Sequence, residues 1–475
     1  MKHGFINRNF PDRTAVILES GAHKTYAELI EDIGRVARLL KPRSQLLIVG
    51  DNDYPTLLFY LAALECGAVP LMLARGKNPA HALKLASIFS PQQIMADGDF
   101  PGAGDHLVPA AVEGDYTLFE NRASSQPELH ERLGFLSATS GSTGSPKLVR
   151  LSQANLAANA TAIVEYLEIT PDDRAMASLP LSYSYGLSIV NSHLNAGASF
   201  VLSSLTMMDS AYWGLMREHE VTSFAGVPYH YEMLLRLRLE RLKLPSLRKM
   251  TQAGGRLARE NMVKIYEACE AAGIRFCTMY GQTEASPRIS YLPSEDTLRK
   301  PNCIGIPIPG GHMWIADESG NDITATGLAG ELVYEGANVC MGYAWSAEEL
   351  QVGDENEGVL RTGDIARCDD EGYFYIEGRQ QRFLKIYGNR ISLDQIERFL
   401  DEKGLEGAAF GSDECLAVRI VGSPGTDTEP LRQEIADYAG INFNAVFVSV
   451  AEELPRLPTG KVDYRCLSQN DQHPS

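Results

Sequence analysis

The 475-residue sequence lacks the features that assign a chain most quickly. No segment approaches the ~20 apolar residues of a membrane span. Its most apolar region, LLIVGDNDYPTLLFYLAALECGAVPLML, is interrupted by Asp51, Asn52, Asp53 and Pro55. That pattern reads as a buried strand, a loop, a helix and a second strand. The first residues, MKHGFINRNFPDRTAV, contain no apolar core of signal-peptide length. Eight cysteines are scattered without one C-x-x-C pair, so disulfide-framework and metal-ligand spacings are missing. Reduced, mostly buried thiols of a cytoplasmic protein are expected. Positive charge is in deficit, with 43 Lys and Arg against 61 Asp and Glu and a formal net charge of −18. This argues against nucleic acid or an anionic membrane as the main partner, though not against an anionic nucleotide in a locally polar pocket.

What is present is length for two or three domains, since single cores stop growing near roughly 250–300 residues. A strand–helix–strand pattern recurs. LLIVG (46–50) leads into TLLFYLAALECG (56–67), with Gly67 as a helix C-cap, and then AVPLML. ASFVLS, the helical MDSAYWGLMREHE, VTSFAGVP and the helical YEMLLRLRLERL repeat the alternation, as do KIYEACEAAGI and RFCTMYG. Alternation at this spacing predicts parallel α/β sheets with ligands at the strand C-terminal ends. From about 301 the texture changes to short strands and Gly/Pro turns, which predicts a partly antiparallel β subdomain. A further change near 380–382 marks a domain boundary, with an amphipathic helix from Leu393 to Lys403 beyond it. The expected domains are 1–380, with the β subdomain at about 301–380, and 381–475.

One loop carries the first chemical signal. SATSGSTGSPKLV (137–149) packs Gly, Ser and Thr around Lys147. Pro146 and Leu148 stand where a Walker loop needs glycine and Ser or Thr, so this is a phosphate loop of another kind. Other clusters are modest alone: LPLSYSYGL (179–187), AGVP, QAGG (252–255), MYGQTEAS (279–286), RTGDIARCDDEGYFYIEGR (361–379) and LPTGK (457–461). The RTGD segment places Asp364 in a turn.

In order and spacing, over some 450 residues, these clusters resemble the adenylate-forming superfamily: acyl- and aryl-CoA synthetases, peptide-synthetase adenylation domains and luciferases. The resemblance implies an α/β fold: a large N-terminal domain of stacked α/β sheets plus a β subdomain, and a small mobile α+β C-terminal domain. It implies that a carboxylic acid and ATP give an acyl-adenylate and pyrophosphate, with Mg2+, before transfer to the thiol of CoA or of a carrier-protein phosphopantetheine. Thr139, Ser140, Gly141, Ser142, Thr143 and Gly144 with Lys147 would wrap the β- and γ-phosphates. Thr283 would bind the α-phosphate and Glu284 the Mg2+, although alone the pair also reads as a helix cap. Tyr280, beside Gly281, would stack on adenine; a core aromatic is the alternative. Asp364 and Arg379 would reach the ribose, Gly254 and Gly255 would line adenine and the acyl chain, and Lys461 would bridge the carboxylate and α-phosphate. By the same resemblance Gln381 would occupy the hinge, and Gly388 would join the thiol tunnel after rotation.

The acid's pocket is expected to be lined by Tyr183, Ser184, Ala225, Gly226, Val227, Pro228, Tyr229, Gln252, Ala253 and the neighbourhood of Gly281 and Gln282. Three departures from the family pattern matter. Gln381 replaces a hinge aspartate or lysine, and Tyr183 replaces a histidine. Ser184 replaces the aspartate that answers an α-ammonium group, which makes ordinary amino acids poor candidates. Arg256 and Arg288 have no assigned role, although Arg288 follows the Thr–Glu pair closely enough to meet a second carboxylate. The alternatives are an amino-acid adenylation domain, or a luciferase-like enzyme without a thiol step. No carrier-domain serine motif is present, so any acyl or peptidyl carrier protein is expected to be a separate chain.

Overall fold

A computed structural model describes residues 6–76, 79–98, 100, 106–138, 147–317, 319–379, 382–386, 389–412, 415–423, 425–457, 462–464 and 466–467. Two large sheets dominate. The first has nine strands, of which six neighbours run parallel: Arg275–Tyr280, Lys249–Gln252, Ser223–Gly226, Arg174–Ala177, Ser199–Leu202 and Thr14–Leu18. The second has eight, with a parallel centre of Leu133–Ala138, Val69–Ala74, Gln45–Gly50 and Gln93–Asp97.

The helix Tyr54–Cys66 has no polar face, and Thr56 through Leu64 are all buried. A helix apolar all round needs cover on every side. Here it shares one core with Ser184–Ala196 and with residues of both sheets, among them Leu46, Met72, Ala177 and Phe200. Gly67 caps the helix at φ +78, a left-handed value that suits glycine. Asn52 links the two sheets: its Nδ2 donates to the Leu179 carbonyl at 2.9 Å and its Oδ1 accepts from the Leu181 N–H at 2.8 Å.

The expected β subdomain is an entirely antiparallel four-stranded sheet: His312–Ala316, Ala329–Glu335, Val359–Cys368 and Phe374–Arg379. Asp364 lies inside its third strand, not in a turn. Its register partner is Arg379, and the local irregularity that resembled a turn is Gly363 at φ +69 and a register shift after Ile365. Beyond it, a hairpin (Phe383–Ile386 and Asn389–Ser392), a three-stranded sheet and the helices Leu393–Glu402 and Glu429–Ala439 enclose two further apolar clusters. Those clusters start at Leu384, whereas the others end at Phe374. All eight cysteines are free; four are buried and four half-buried. Among the described residues no helix is long and apolar enough to cross a membrane.

One fully buried charge pins the strand that follows the phosphate loop. Arg150, in Leu148–Ser152, donates from Nε to the Tyr343 carbonyl at 2.9 Å and through its guanidinium to the carbonyls of Met341 and Gly353 at 3.0 Å. It also reaches Val352 and the Glu355 carboxylate. Removing it would orphan these acceptors, and breaking a buried charged network costs about 3–5 kcal/mol. Arg150→Met is therefore expected to lower the urea midpoint clearly; an unchanged midpoint would contradict this role.

Candidate active site

Four parallel strands deliver chain to one edge of the first sheet, where an open α/β sheet presents its ligands. After Lys249–Gln252 come Ala253, Gly254 and Gly255; after Arg275–Tyr280 come Gly281, Gln282 and the short 3-10 turn Thr283–Ala285. Ser223–Gly226 leads through Val227 into the helix Pro228–Leu237, and Arg174–Ala177 leads to Tyr183, which precedes the helix Ser184–Ala196. The glycines have steric reasons. A Cβ on Gly281 would lie 1.7 Å from the Pro287 carbonyl oxygen. Gly254 sits at φ +84, and its Cβ would lie 2.4 Å from the Tyr183 hydroxyl.

A buried carboxylate joins this edge to the antiparallel sheet. Asp364 is 2% exposed. Its Oδ2 accepts from the Tyr280 hydroxyl and, at 2.9 Å, from Gln282 Nε2; its Oδ1 accepts from Arg379 Nε at 3.1 Å. Gln282 Nε2 also donates to the Thr362 carbonyl at 3.0 Å. Burial, and then the Asp364 charge, hold the Tyr280 phenol far above its ordinary range, so it stays a donor. The same charge raises Arg379 further. Gln282, expected on the acid's side, is therefore turned to Asp364.

A second cluster lies at the Thr–Glu turn. Ser184 Oγ is 3.3 Å from Thr283 Oγ1. Glu284 accepts from the Tyr343 hydroxyl at 2.9 Å, and the Lys147 ammonium stands 3.5 Å from the centroid of the Tyr343 ring. One aromatic residue thus spaces a cation from a carboxylate. The Cys340 N–H donates to the Glu284 carbonyl at 2.8 Å, which holds the turn. Among the described residues there is no group of three or more His, Cys, Asp or Glu able to cage a metal. A lone half-buried carboxylate such as Glu284 suits a hard cation that takes its remaining oxygens from phosphate and water. Thr139, Ser140, Gly141, Ser142, Thr143, Gly144, Gln381, Gly388 and Lys461 lie outside the described residues.

On the acid's side the expected lining is only partly assembled. Tyr183 and Val227 close around Gly254, Gly226 abuts His230, and Gln252 Nε2 donates to the Gly255 carbonyl at 2.8 Å. Tyr229 is 37% exposed and its ring faces His230. Behind them is a cavity of about 30 Å3, bounded by Tyr185, Ser188, Ala225, Thr251, Arg288 and, at its far end, His193. Apart from Ala225 and Arg288, sequence reasoning missed these residues. A signal existed: Ser188, Asn191, Ser192 and His193 are polar residues within Tyr185 to Leu194, a stretch of helix that is buried throughout and otherwise largely apolar. Arg256 points elsewhere, to Asp401 at 3.7 Å.

Parallel-centred sheets over shared buried helices, with hydroxyls, a carboxylate and a cation at the strand C-terminal ends, are the arrangement of an α/β protein that binds a polar ligand there; the solved structures of the same fold are adenylate-forming enzymes. The family model of AMP-binding enzymes matches residues 6–344, and the chain belongs to that family. It is an AMP-forming acid–thiol ligase. Indoleacetate--CoA ligase of Aromatoleum aromaticum is 29% identical over 477 residues, 92% of this chain and 91% of that protein. Oxalate--CoA ligase of Arabidopsis thaliana is 27% identical over 510 residues, 98% and 97% respectively. The crystal structure of ATP-bound MatB from Rhodopseudomonas palustris is 25% identical, with a TM-score of 0.81 over 98% of this chain and 96% of that one.

The glycine geometry predicts an order. Gly281→Ala, whose methyl meets rigid backbone, should lower the thermal midpoint most. Gly254→Ala should follow, from left-handed strain of roughly 1–2 kcal/mol plus the displaced Tyr183 hydroxyl. Gly255→Ala, 3.2 Å from Pro228 Cγ, should cost least. Equal midpoints for the three variants would refute this account.

Proposed function

We propose that the chain activates a small carboxylic acid with ATP at the edge formed by Gly254, Tyr280, Thr283, Glu284 and Asp364, and passes the acyl group to CoA. The observation that carries this reading is the Asp364 cluster. A carboxylate this buried is held by three donors, yet it retains acceptor capacity on Oδ1, where only Arg379 Nε is bonded. That suits a pair of ribose hydroxyls beside the Tyr280 ring.

Two anions must meet at the α-phosphorus, so cations and dipoles are needed where charge builds up. An oxygen of the acid attacks the α-phosphorus, the bond to the β-phosphate oxygen breaks, and pyrophosphate leaves. Thr283 would donate to the α-phosphate, and Lys147 with the 139–144 loop would hold the departing phosphates. Mg2+ supplies Lewis-acid neutralisation of phosphate oxygens when bound, and Glu284 would hold it. Lys461 would bridge the acid and the α-phosphate. The thiol then attacks the acyl carbonyl and AMP departs. A boundary near 380–382, between the separate apolar clusters, gives the C-terminal module a hinge at Gln381 for delivering first Lys461 and then the Gly388 segment. Two relatives named as CoA ligases across almost their whole length support CoA as acceptor. A carrier-protein thiol is the second reading, and a cytoplasmic location fits the free thiols.

Acid-dependent pyrophosphate release, followed by CoA-dependent release of AMP, tests the whole reading. Within it, Asp364→Asn should weaken ATP binding by about 10-fold or more in calorimetry, the scale of one lost charge-assisted hydrogen bond. Lys461→Ala should leave ATP binding nearly intact while suppressing pyrophosphate release by about 100-fold or more, the scale of a lost transition-state charge contact. Unchanged ATP affinity in the first variant, or unchanged release in the second, would remove the assigned role.

A further inference from the structure

Arg288 is 3% exposed, and among the described residues no carboxylate pairs with it. Its Nε has no hydrogen-bond partner, and its guanidinium lies 4.3 Å from the centroid of the Tyr185 ring at the wall of the cavity. The surrounding polar groups are neutral. Burial raises the phenols of Tyr166, Tyr183 and Tyr185, so they do not ionise near neutrality. The cavity's single lining carboxylate, Asp173, is committed at the other end. It accepts from Lys249 Nζ at 2.9 Å, the Thr170 N–H at 2.8 Å and Thr222 Oγ1 at 3.1 Å.

A buried guanidinium stacked on an aromatic face but lacking an anion is held ready for one. Leaving a charge uncompensated in the interior is expensive, and the planar fork is matched to carboxylate. Its place in the chain says which ligand brings that carboxylate. Arg288 follows Glu284 by four residues in the same loop. Tyr185, which it stacks on, follows Ser184, whose hydroxyl lies 3.3 Å from that of Thr283. Arg288 and Tyr185 therefore belong to the same two chain segments as Thr283 and Ser184, next to the turn where the acid would be activated. The cavity is small, about 30 Å3, and His193 and the Asp173–Lys249 pair line it as well. A long acyl chain finds no room there, and an ammonium group would meet a buried cation.

We propose that the acid is a short dicarboxylic acid, one carboxylate activated beside Thr283 and the other bound by Arg288. This rests on the adenylation reading given above. The stacking on Tyr185 holds the guanidinium plane, and Ser188 and Thr251 supply hydroxyls along the same wall.

The test is pyrophosphate release from ATP with matched pairs of acids: malonate against propionate, succinate against butyrate, glutarate against valerate. In the wild-type protein at least one diacid is expected to exceed its monoacid by about 10,000-fold in kcat/KM, the discrimination shown by a site built to pair a polar group. Arg288→Met should erase that preference mainly through KM, and Arg288→Lys should keep part of it. Binding of ATP by both variants, followed calorimetrically, reports that they are folded. A wild-type protein that prefers each monoacid, or a preference that survives Arg288→Met, overturns the inference and leaves adenylation standing. No acid-dependent pyrophosphate release from any of the six would overturn the adenylation reading itself.

Discussion

A charge removed from water must be answered by other charges or by several hydrogen bonds, because the desolvation cost is several kcal/mol per ion. The architecture here can be read as a set of such answers. Arg150 is answered by backbone carbonyls and Glu355, which fastens the 148–152 strand to the segment 341–355. Asp173 is answered by Lys249 and by donors from Thr170 and Thr222, which locks the start of the 174–177 strand. Asp364 is answered by Tyr280, Gln282 and Arg379, which ties the antiparallel sheet to the edge of the nine-stranded one. Arg288, with the same degree of burial, has no such anion among the described residues.

These fastenings explain why catalysis can be built on loops. The segments after Gln252 and Tyr280 are short and irregular, and irregular chain is ordinarily mobile. Here each is held by something rigid: Gly281 against the Pro287 carbonyl, Glu284 through Cys340 and Tyr343, Gln282 through Asp364. Beneath them the helices 54–66 and 184–196 fill the space between the sheets, so both sheets must move together. The 184–196 helix also carries the cavity wall. Packing of the core and shape of this cavity are thus one problem, solved by the same residues.

How much of this was legible in the sequence follows from how local each signal is. The buried helix ending at Gly67, the alternating strands and the antiparallel texture after 301 depend on short patterns, and they were read from those patterns. The Asp364 position was misjudged because Thr-Gly-Asp looks like a turn. A glycine at positive φ within a ten-residue strand leaves the same trace. The direction of Gln282 depends on a carboxylate eighty-two residues later, which no local pattern contains. Tyr185, Ser188 and Thr251 sit in elements that read as core, and they are core on all but one side. The burial of Arg288 is a property of the assembled tertiary structure, so the sequence offered only its nearness to Glu284.

The chain's overall charge sharpens the point. With a formal charge of −18, it has to bind ATP and an acid, both anions, against its own long-range field. At physiological ionic strength that field is screened beyond about 8 Å, so recognition has to come from cations placed close to the ligand and shielded from solvent. Lys147 over Tyr343 and Arg288 over Tyr185 share one design, a cation seated on an aromatic face at the wall of the site. The ring holds the charge in place without neutralising it, as a carboxylate partner would. An incoming anion therefore meets a cation already partly desolvated and oriented, and the electrostatic gain is largest where water is excluded. Lys147 is the half-buried member of the pair and Arg288 the deeply buried one, a graded arrangement that, in the proposed reading, would place a multiply charged, water-exposed phosphate chain at the first and a single small carboxylate at the second.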